Sequence, residues 1–512
     1  MKINDARGKS YCKQLLEKPL YGFGLVFSGL LFGNIVSTPE CSAGNLPDEQ
    51  AKPNIVFILA DDLGYGSINS YGAINDVVRT PNINSIAENG MRFTDASTPA
   101  SICSPTRYGL ITGRYPWRSE LKSGVVDPKG EFLPDPDRLT VADWLKERDY
   151  NTAAIGKWHL GYGEGPEVDF TGKLSPSPLD IGFDYHFAVP QNHGDMHGVY
   201  IKNDHIYGLR SEKKQPYSRT YYGPQYIGYD APQRVNKDVM EVITDKAVDW
   251  LRSQSKNNPF FMYFAPVAVH RPITPSDDMR HVSSCGPYGD FIQDLDMSVG
   301  RILEILKHKN LTENTLFIFT SDNGGVIPSS EDLNIPENYA IDQGLKINGE
   351  LRGRKHTIWE GGTRVPFIVS WPGKVEPGTK SDAMINIVDF FATICDITDG
   401  KLPADKKVAP DSYSFLHALL QNENNHKRES MITANARGYH AIRRGNYKYI
   451  DPVPPHEWSN TPKPNRVGSM EPHLFNLKKD LDERKDIYDE NPEIVKELKQ
   501  ELNQIRKAQS SR

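Results

Sequence analysis

The sequence predicts an α/β protein: a large sheet sandwiched by helices, followed by a small C-terminal subdomain with an antiparallel sheet and a helix. Two observations lead to this class. Apolar runs of strand length alternate with longer amphipathic stretches, which is the pattern of a sheet covered by helices on both faces. After about Asn425 the chain becomes polar and then continues in short strand-like segments, which indicates a separate subdomain.

Five apolar runs are the predicted strands, at residues 53–63, 152–155, 260–265, 316–320 and 367–370. The first reads PNIVFILADDL, and a continuous apolar run of this kind is typical of a central parallel strand. Each of the first four runs leads directly into Asp, Asn, Lys or His residues. Because ligands of open α/β sheets bind at the carboxyl ends of the strands, we expect a functional site there.

The helices are predicted from amphipathic stretches at residues 239–251 and 292–306. Thr80 and Pro81 predict the N-cap and the first residue of a further helix that ends near Gly90. A terminal helix is predicted from five apolar residues on one face, namely Ile494, Val495, Leu498, Leu502 and Ile505.

Three segments are expected along the chain: a signal peptide at residues 1–43, a large domain at residues 44–425 and the C-terminal subdomain at residues 426–512. The leader is basic, and its apolar run at residues 20–36 is short for a membrane span. Small side chains at Cys41 and Ala43 suit signal peptidase, so we expect cleavage after Ala43 and export to the periplasm or the medium. No stable membrane insertion is expected; a retained anchor is the alternative.

The composition argues against nucleic-acid binding and limits the number of disulfides. A formal net charge of -6 gives no basic field for a nucleic-acid backbone, so nucleic-acid binding is not expected. Beyond the leader only Cys103, Cys285 and Cys395 remain, too few for a disulfide framework. At most one disulfide is possible, and the pairing of Cys285 with Cys395 is left open.

Hard oxygen ligands follow two of the predicted strands. Asp61 and Asp62 end the first run, and Asp322 and Asn323 follow the fourth. Oxygen-only ligands favour calcium or magnesium over zinc, and the amide oxygen favours calcium. The structural alternative is that these residues only cap a helix and form a turn.

Basic and titratable residues follow other strands. Lys157 and His159 alternate within GKWHLG, and they would point to one side if that segment stays extended. His270 follows the third run, and Lys355 lies in the basic segment LRGRKH. Such residues can bind an anion and move protons, although each of them alone is more often structural.

The segment Cys103-Ser104-Pro105-Thr106-Arg107, followed by Thr112-Gly113-Arg114, resembles the signature of formylglycine-dependent sulfatases. The order of DDLGYG, CSPTR, GKWHLG, a histidine after PV, SDNGG and LRGRKHTIWEGGTRVPF is similar to that family across residues 53–373. The resemblance implies an alkaline-phosphatase-like fold, with residues 44–425 as the catalytic domain. Thr106 departs from the serine of many relatives but keeps the hydroxyl.

The resemblance also implies site residues and cofactors. Cys103 becomes formylglycine, made by a formylglycine-generating enzyme, and the calcium ligands are Asp61, Asp62, Cys103, Asp322 and Asn323. The rest of the pocket is Arg107, Lys157, His159, His270 and Lys355. Lys157, Lys355 and Arg107 neutralise the sulfate with the ion, His270 protonates the leaving alcohol, and His159 deprotonates the second hydroxyl of the formylglycine hydrate.

The substrate is less determined than the chemistry. An exported enzyme of this kind is expected to act on a sulfated polysaccharide or oligosaccharide. Asn192 is a weak candidate contact, and the loop at residues 191–200 either forms sugar subsites or is rigid packing. The alternatives are a phosphomonoester or phosphonate hydrolase of the same superfamily and an inactive carbohydrate-binding relative.

Overall fold

A ten-stranded mixed sheet forms the centre of the fold. The computed structural model describes residues 52–217, 226–398, 400–421, 428–452 and 471–512. The predicted signal peptide lies outside these residues. In the described part of the chain, no helix is both long enough and apolar enough to span a bilayer.

The strands of the described residues are β1 (Asn54–Ala60), β2 (Met91–Phe93), β3 (Ala96–Ser97), β4 (Asn151–Lys157), β5 (Tyr185–Val189), β6 (Ile201–Lys202), β7 (His205–Ile206), β8 (Ser211–Tyr217), β9 (Tyr226–Asp230), β10 (Phe260–Ala265), β11 (Thr315–Ser321), β12 (Phe367–Ser370), β13 (Thr379–Ser381), β14 (Ile385–Asn386), β15 (Ser430–Ala434), β16 (His440–Arg444), β17 (Tyr447–Ile450) and β18 (His473–Asn476). The large sheet has the order β13-β2-β12-β11-β1-β10-β4-β5-β6-β7. Its central strands β11, β1, β10, β4 and β5 are parallel, and β12 and β6 run antiparallel to their neighbours.

The helices of the described part are α1 (Pro81–Glu88), α2 (Cys103–Thr112), α3 (Val141–Lys146), α4 (Val239–Ser253), α5 (Gly286–His308), α6 (Pro336–Asp342), α7 (Glu360–Thr363), α8 (Phe390–Thr398), α9 (Leu416–Leu419) and α10 (Pro492–Lys507). Residues of α1, α4, α5 and α6 pack on one face of the large sheet. Residues of α2, α3 and α8 pack on the other. The predicted α/β sandwich is therefore confirmed.

Strand β1 shows why the sheet is buried on both sides. Ile55, Phe57 and Leu59 pack into one core, while Val56 and Ile58 pack into the other. All five side chains are fully buried, because successive side chains of a strand point to opposite faces. The continuous apolar run was needed to fill both cores.

Helix α1 begins where the sequence predicts, with Thr80 at the N-cap position and Pro81 as the first helical residue, but the capping hydrogen bonds come from another part of the chain. Thr80 occupies the N-cap position but makes no capping hydrogen bond; its hydroxyl bonds to Asn69 instead. The carboxylate of Asp296 in α5 accepts hydrogen bonds from the backbone N–H groups of Asn82 and Ile83, at 3.2 and 2.8 Å. A neighbouring helix thus satisfies the free N–H groups that a helix start leaves.

The C-terminal part contains an antiparallel sheet of β15, β16, β17 and β18 in that order. Helix α10 covers it with the predicted apolar face, from which Val495, Leu498 and Leu502 are buried against Ile432 and Leu474. The predicted small sheet and terminal helix are confirmed. The exact domain boundaries stay a prediction.

The cysteines form no disulfide in the described residues. Cys285 and Cys395 are buried free thiols. They belong to the cores on opposite faces of the large sheet, so the sheet itself separates them. The open question of their pairing is settled against a bond.

Candidate active site

Polar residues meet at the carboxyl ends of the parallel strands, as the sequence predicted. Asp61 and Asp62 follow β1, Asp322 follows β11, and Lys157 ends β4. His270 lies five residues beyond the end of β10. The central register of the sheet is what brings residues distant in sequence to one place.

Cys103 is the first residue of α2 and is buried. Its Sγ lies 3.7 Å from Oδ1 of Asp61 and 3.5 Å from Nζ of Lys355. Burial raises the pKa of the Cys103 thiol to about 12, because the thiolate would lose its hydration. An unmodified Cys103 is therefore a protonated thiol at neutral pH and a poor nucleophile.

The two carboxylates after β1 are each held by one lysine. Nζ of Lys157 lies 2.9 and 2.8 Å from the two oxygens of Asp61. Nζ of Lys355 lies 2.7 and 2.8 Å from those of Asp62. Burial raises the pKa of Asp61 to about 7 against the opposing charge of Lys157. Burial acts the same way on Asp62, but the charges of Lys355 and Lys157 outweigh it and lower that pKa.

Arg107 lies beneath these carboxylates and is fully buried. It follows Cys103 by one turn of α2, and its Nη2 and Nε lie 2.6 and 3.1 Å from Oδ2 of Asp322. Its Nη1 donates to the backbone oxygen of Lys157 and to the hydroxyl of Tyr263. These contacts let Arg107 position the carboxylate of Asp322. Its predicted part in neutralising the sulfate stays a prediction.

Asn323 completes an oxygen-rich group with the carboxylates. Its Nδ2 donates to Oδ1 of Asp62 at 2.8 Å. Its Oδ1 is buried and has no hydrogen-bond partner among the described residues. A buried oxygen of this kind needs a partner, and a metal ion bound there would supply one. Ligand atoms of Asp61, Asp62, Cys103 and His270 also lie within 4.8 Å of one another, so the residues present fit a hard cation.

The backbone after β4 is not extended, contrary to the expected alternation. His159 has a φ of 59°, and its backbone oxygen accepts a hydrogen bond from Ser104 at 2.7 Å. Both ring nitrogens of His159 are buried without a partner in the described residues. Burial, with the charges of Lys157 and Arg107, lowers the pKa of His159 well below its ordinary value. A neutral imidazole next to the centre can accept a proton.

His270 is also buried and neutral. Burial and the charge of Lys355 lower its pKa well below the ordinary value. Its Nδ1 lies 2.7 Å from the backbone oxygen of Arg271, and this oxygen can only accept, so Nδ1 carries the hydrogen. Its Nε2 lies 3.7 Å from Oδ2 of Asp62, the oxygen that also accepts from Lys355. His270 and Lys355 thus share one carboxylate.

The comparison with protein families decides the identity. A family model described as Sulfatase matches residues 53–400. The chain belongs to the sulfatase family. It is a sulfuric ester hydrolase. A second model, described as N-sulphoglucosamine sulphohydrolase, C-terminal, matches residues 353–508. The range that the Sulfatase model matches, residues 53–400, contains every site residue described above.

Individual relatives agree with the family. N-acetylgalactosamine-6-O-sulfatase of Bacteroides thetaiotaomicron is 34% identical over 494 residues, covering 89% of this chain and 93% of the relative. Human arylsulfatase A is 30% identical over 482 residues, covering 88% and 86%. A solved structure from work on the metabolism of multiple glycosaminoglycans by Bacteroides thetaiotaomicron superposes with a TM-score of 0.80 at 33% identity, covering 89% and 100%.

The loop at residues 191–200 of this sulfatase is mostly packing. His197 stacks on Phe170 with ring centroids 4.3 Å apart, and its Nε2 pairs with the backbone oxygen of Pro128. Asp195 forms a buried ion pair with Arg234 at 2.7 Å. Asn192 is partly exposed, and its Oδ1 has no partner among the described residues. No hydrogen bond in the described part joins Asn192 to the centre, so its role stays a prediction.

Two residues of the sulfatase site were not singled out in the sequence. Tyr263 is the one hydroxyl in the apolar strand FFMYFA, and this placement is the signal that marks it as a buried partner of Arg107. Ser104 joins the backbone of His159 to that of Val126. Nothing in the sequence distinguishes this serine from any residue beside a cysteine.

Proposed function

We propose that this sulfatase hydrolyses a sulfate monoester of a sulfated polysaccharide or oligosaccharide, with formylglycine made from Cys103 and one calcium ion. The placement of Cys103 carries the proposal. The residue begins a buried helix, and its Sγ lies between the Asp61 carboxylate and the Lys355 ammonium. A thiol in this position is a poor nucleophile, because burial keeps it protonated. The neighbouring charged groups can instead orient an oxygen nucleophile at the same position.

The metal site is assigned to Asp61, Asp62, Asp322 and Asn323, together with the residue formed from Cys103. The unpartnered Oδ1 of Asn323 and three buried carboxylates are the donor set that calcium prefers. Bound calcium supplies Lewis-acid charge for the sulfate oxygens. Arg107 keeps the carboxylate of Asp322 in place through its two donors.

The formylglycine hydrate supplies two hydroxyls on one carbon, one to attack sulfur and one from which the aldehyde re-forms as sulfate leaves. His159 is assigned to accept the proton of the second hydroxyl, because its neutral ring has two buried nitrogens without partners in the described residues. Lys157 and Lys355 are assigned to bind the sulfate oxygens. Both ammonium groups already face carboxylates of the centre.

Protonation of the leaving alcohol is assigned to His270 together with Lys355. His270 is neutral, with its hydrogen on Nδ1, so its Nε2 has no proton of its own to donate. The proton is therefore assigned to the Lys355 ammonium: burial lowers its pKa, but the charge of Asp62 outweighs this and raises it. The leaving oxygen becomes basic enough to take this proton as its bond to sulfur breaks, and Nε2 of His270 can relay it. The carboxylate oxygen that both residues contact links the two groups.

The substrate class rests on the relatives and on one cavity. The similar proteins are named for sulfated N-acetylgalactosamine and for glycosaminoglycan metabolism. A cavity of about 320 Å³ opens beside Lys355 and is lined by Arg271 and Arg354, which is a size typical of small-ligand sites. Arg271 is paired there with the buried carboxylate of Glu337, whereas the Arg354 guanidinium suits a sugar with a further acidic substituent. Export through the predicted signal peptide would give the enzyme access to such polymers.

The test compares wild-type protein with Cys103→Ala, both produced with a formylglycine-generating enzyme. We expect Cys103→Ala to abolish turnover of 4-nitrophenyl sulfate and of defined sulfated oligosaccharides, with an unchanged circular dichroism spectrum. Cys285→Ala, which removes a buried thiol away from the centre, is the matched control and should keep activity. Normal activity of Cys103→Ala would refute the mechanism. Faster turnover of 4-nitrophenyl phosphate than of the sulfate by the wild type would favour the phosphate or phosphonate hydrolase.

A further inference from the structure

A second cavity, far from Cys103 along α2, has a strongly basic lining. It has a volume of about 480 Å³, and seven of its eleven lining residues are Lys or Arg. We call it the basic groove and define it by Arg114, Arg138, Lys406, Lys407 and Trp117. No carboxylate lines it among the described residues. The chain as a whole carries a net charge of -6, so this concentration of positive charge is local.

Among the described residues, five of the seven Lys and Arg residues that line the basic groove form no ion pair. The two lining residues that do have acidic partners are Arg118, which pairs with Asp411, and Arg506, which pairs with Asp451. Within the part of the chain that the structure describes, Arg114 and Arg138 donate to neutral oxygens, of Tyr108 and Lys407 respectively.

Lys406 and Lys407 are exposed, and neither forms an ion pair within the described residues. Uncompensated cations around one cavity make a site for an anion.

Helix ends explain part of this composition but not all of it. Arg114 follows the last residues of α2, and Arg506 lies in the last turn of α10. Cations are favoured at the C-terminal end of a helix because of its partial negative charge. Lys406 and Lys407 lie in a segment without a helix, so their presence at the same cavity needs another reason.

An aromatic ring lies among these cations. Trp117 is partly exposed and stacks on Tyr115 with centroids 5.5 Å apart, which fixes the plane of its ring. The guanidinium of Arg118 lies 4.3 Å from the ring centroid. A rigid amphipathic ring beside cations suits a ligand that has both apolar faces and negative groups. A sulfated sugar has this combination.

The basic groove is separate from the catalytic centre. Arg114 lies eleven residues after Cys103, just beyond the C-terminal end of α2, so the rise of the helix places the two roughly 15 Å apart. We propose that the groove binds sulfate groups of a polysaccharide chain outside the catalytic pocket. The choice of a sulfated polysaccharide rests on the proposed function, whereas anion binding by the groove does not.

The test measures binding without catalysis. Isothermal titration calorimetry in the Cys103→Ala background uses chondroitin 6-sulfate as the probe and hyaluronan as the unsulfated comparison. The double variant Lys406→Glu/Lys407→Glu should weaken binding of chondroitin 6-sulfate by about tenfold, because two attractive contacts become repulsive. It should also reduce the dependence of affinity on salt. Lys478→Glu/Lys479→Glu, an exposed lysine pair elsewhere, is the matched control.

Each outcome decides the proposal. Weakening by the first pair and not by the second, with weaker binding of hyaluronan throughout, supports it. Equal weakening by both pairs, or none by either, overturns it. Equal affinity for hyaluronan would show that sulfate is not recognised, and tighter binding of DNA of similar length would show that the ligand class is wrong. Because no turnover is involved, a failure here is distinct from a failure of the proposed sulfatase mechanism.

Discussion

Lys448→Met tests how the C-terminal sheet supports the catalytic centre. Nζ of Lys448 is buried and lies 2.9 Å from Oε1 of Glu360 and 2.8 Å from Oε1 of Glu483. It also donates to the backbone oxygen of Ile358 at 3.0 Å. Ile358 is three residues beyond Lys355. The ammonium thus links the small sheet to the segment that carries an active-site lysine.

The magnitude follows from what the variant leaves behind. Removal of one partner of a buried ion pair costs about 3–5 kcal/mol, because the other charge stays buried without compensation. Glu360 keeps its contact with Arg364 at 2.7 Å. Burial already raises the pKa of Glu483 to about 6, so this carboxylate can take up a proton. Both effects limit the loss, and we expect a decrease of about 3 kcal/mol in the free energy of unfolding at pH 8.

The assay is urea unfolding followed by tryptophan fluorescence, at pH 8 and at pH 5.5. The loss should be smaller at pH 5.5, because the stranded carboxylate is then protonated at little cost. Turnover should also fall, because the segment bearing Lys355 loses an anchor. Lys478→Met removes an exposed lysine and should change stability by less than about 0.5 kcal/mol. A loss below about 1 kcal/mol at pH 8 for Lys448→Met would show that this ammonium does not hold the two carboxylates in the way described.

Two further predictions concern pH and metal. Burial raises the pKa of Asp296 from 3.8 to about 6, so its contribution to stability is present below pH 3.8 and is lost as pH rises through 6; Asp296→Asn should remove this slope. The free energy of unfolding of the wild type, measured in urea relative to that of Asp296→Asn, should therefore fall by about 2–3 kcal/mol between pH 4 and 7. The same dependence on pH in both proteins would contradict this prediction. EGTA should abolish sulfatase activity and calcium should restore it; full activity after exhaustive chelation would exclude the assigned metal site.

The parts of the fold that follow from local pattern were predictable. The run from Asn54 to Ala60 is apolar at every inner position, and this alone identifies a strand buried on both faces. The position of Asp61 and Asp62 after it placed them at the functional edge of the sheet. Calcium as the ion and formylglycine as the modification came from the family resemblance, not from the pattern.

The features that the sequence does not reveal depend on partners distant in the chain or on local backbone geometry. Asp296 caps α1 from 213 residues away at Ile83, and no local signal indicates this. Arg107 meets Asp322 across 215 residues, so its role as a support could not be separated from a role as a sulfate ligand. The turn at His159 has a positive φ that a pattern of alternating residues does not reveal.

The central claim is that residue 103 acts as formylglycine. The most direct measurement is peptide mass spectrometry of the natively produced protein, together with sulfatase turnover by the same preparation. We expect the peptide spanning residue 103 to have the mass that formylglycine gives it, and turnover to rise in proportion to the modified fraction. Full turnover by a preparation that contains only unmodified cysteine at this position would contradict it.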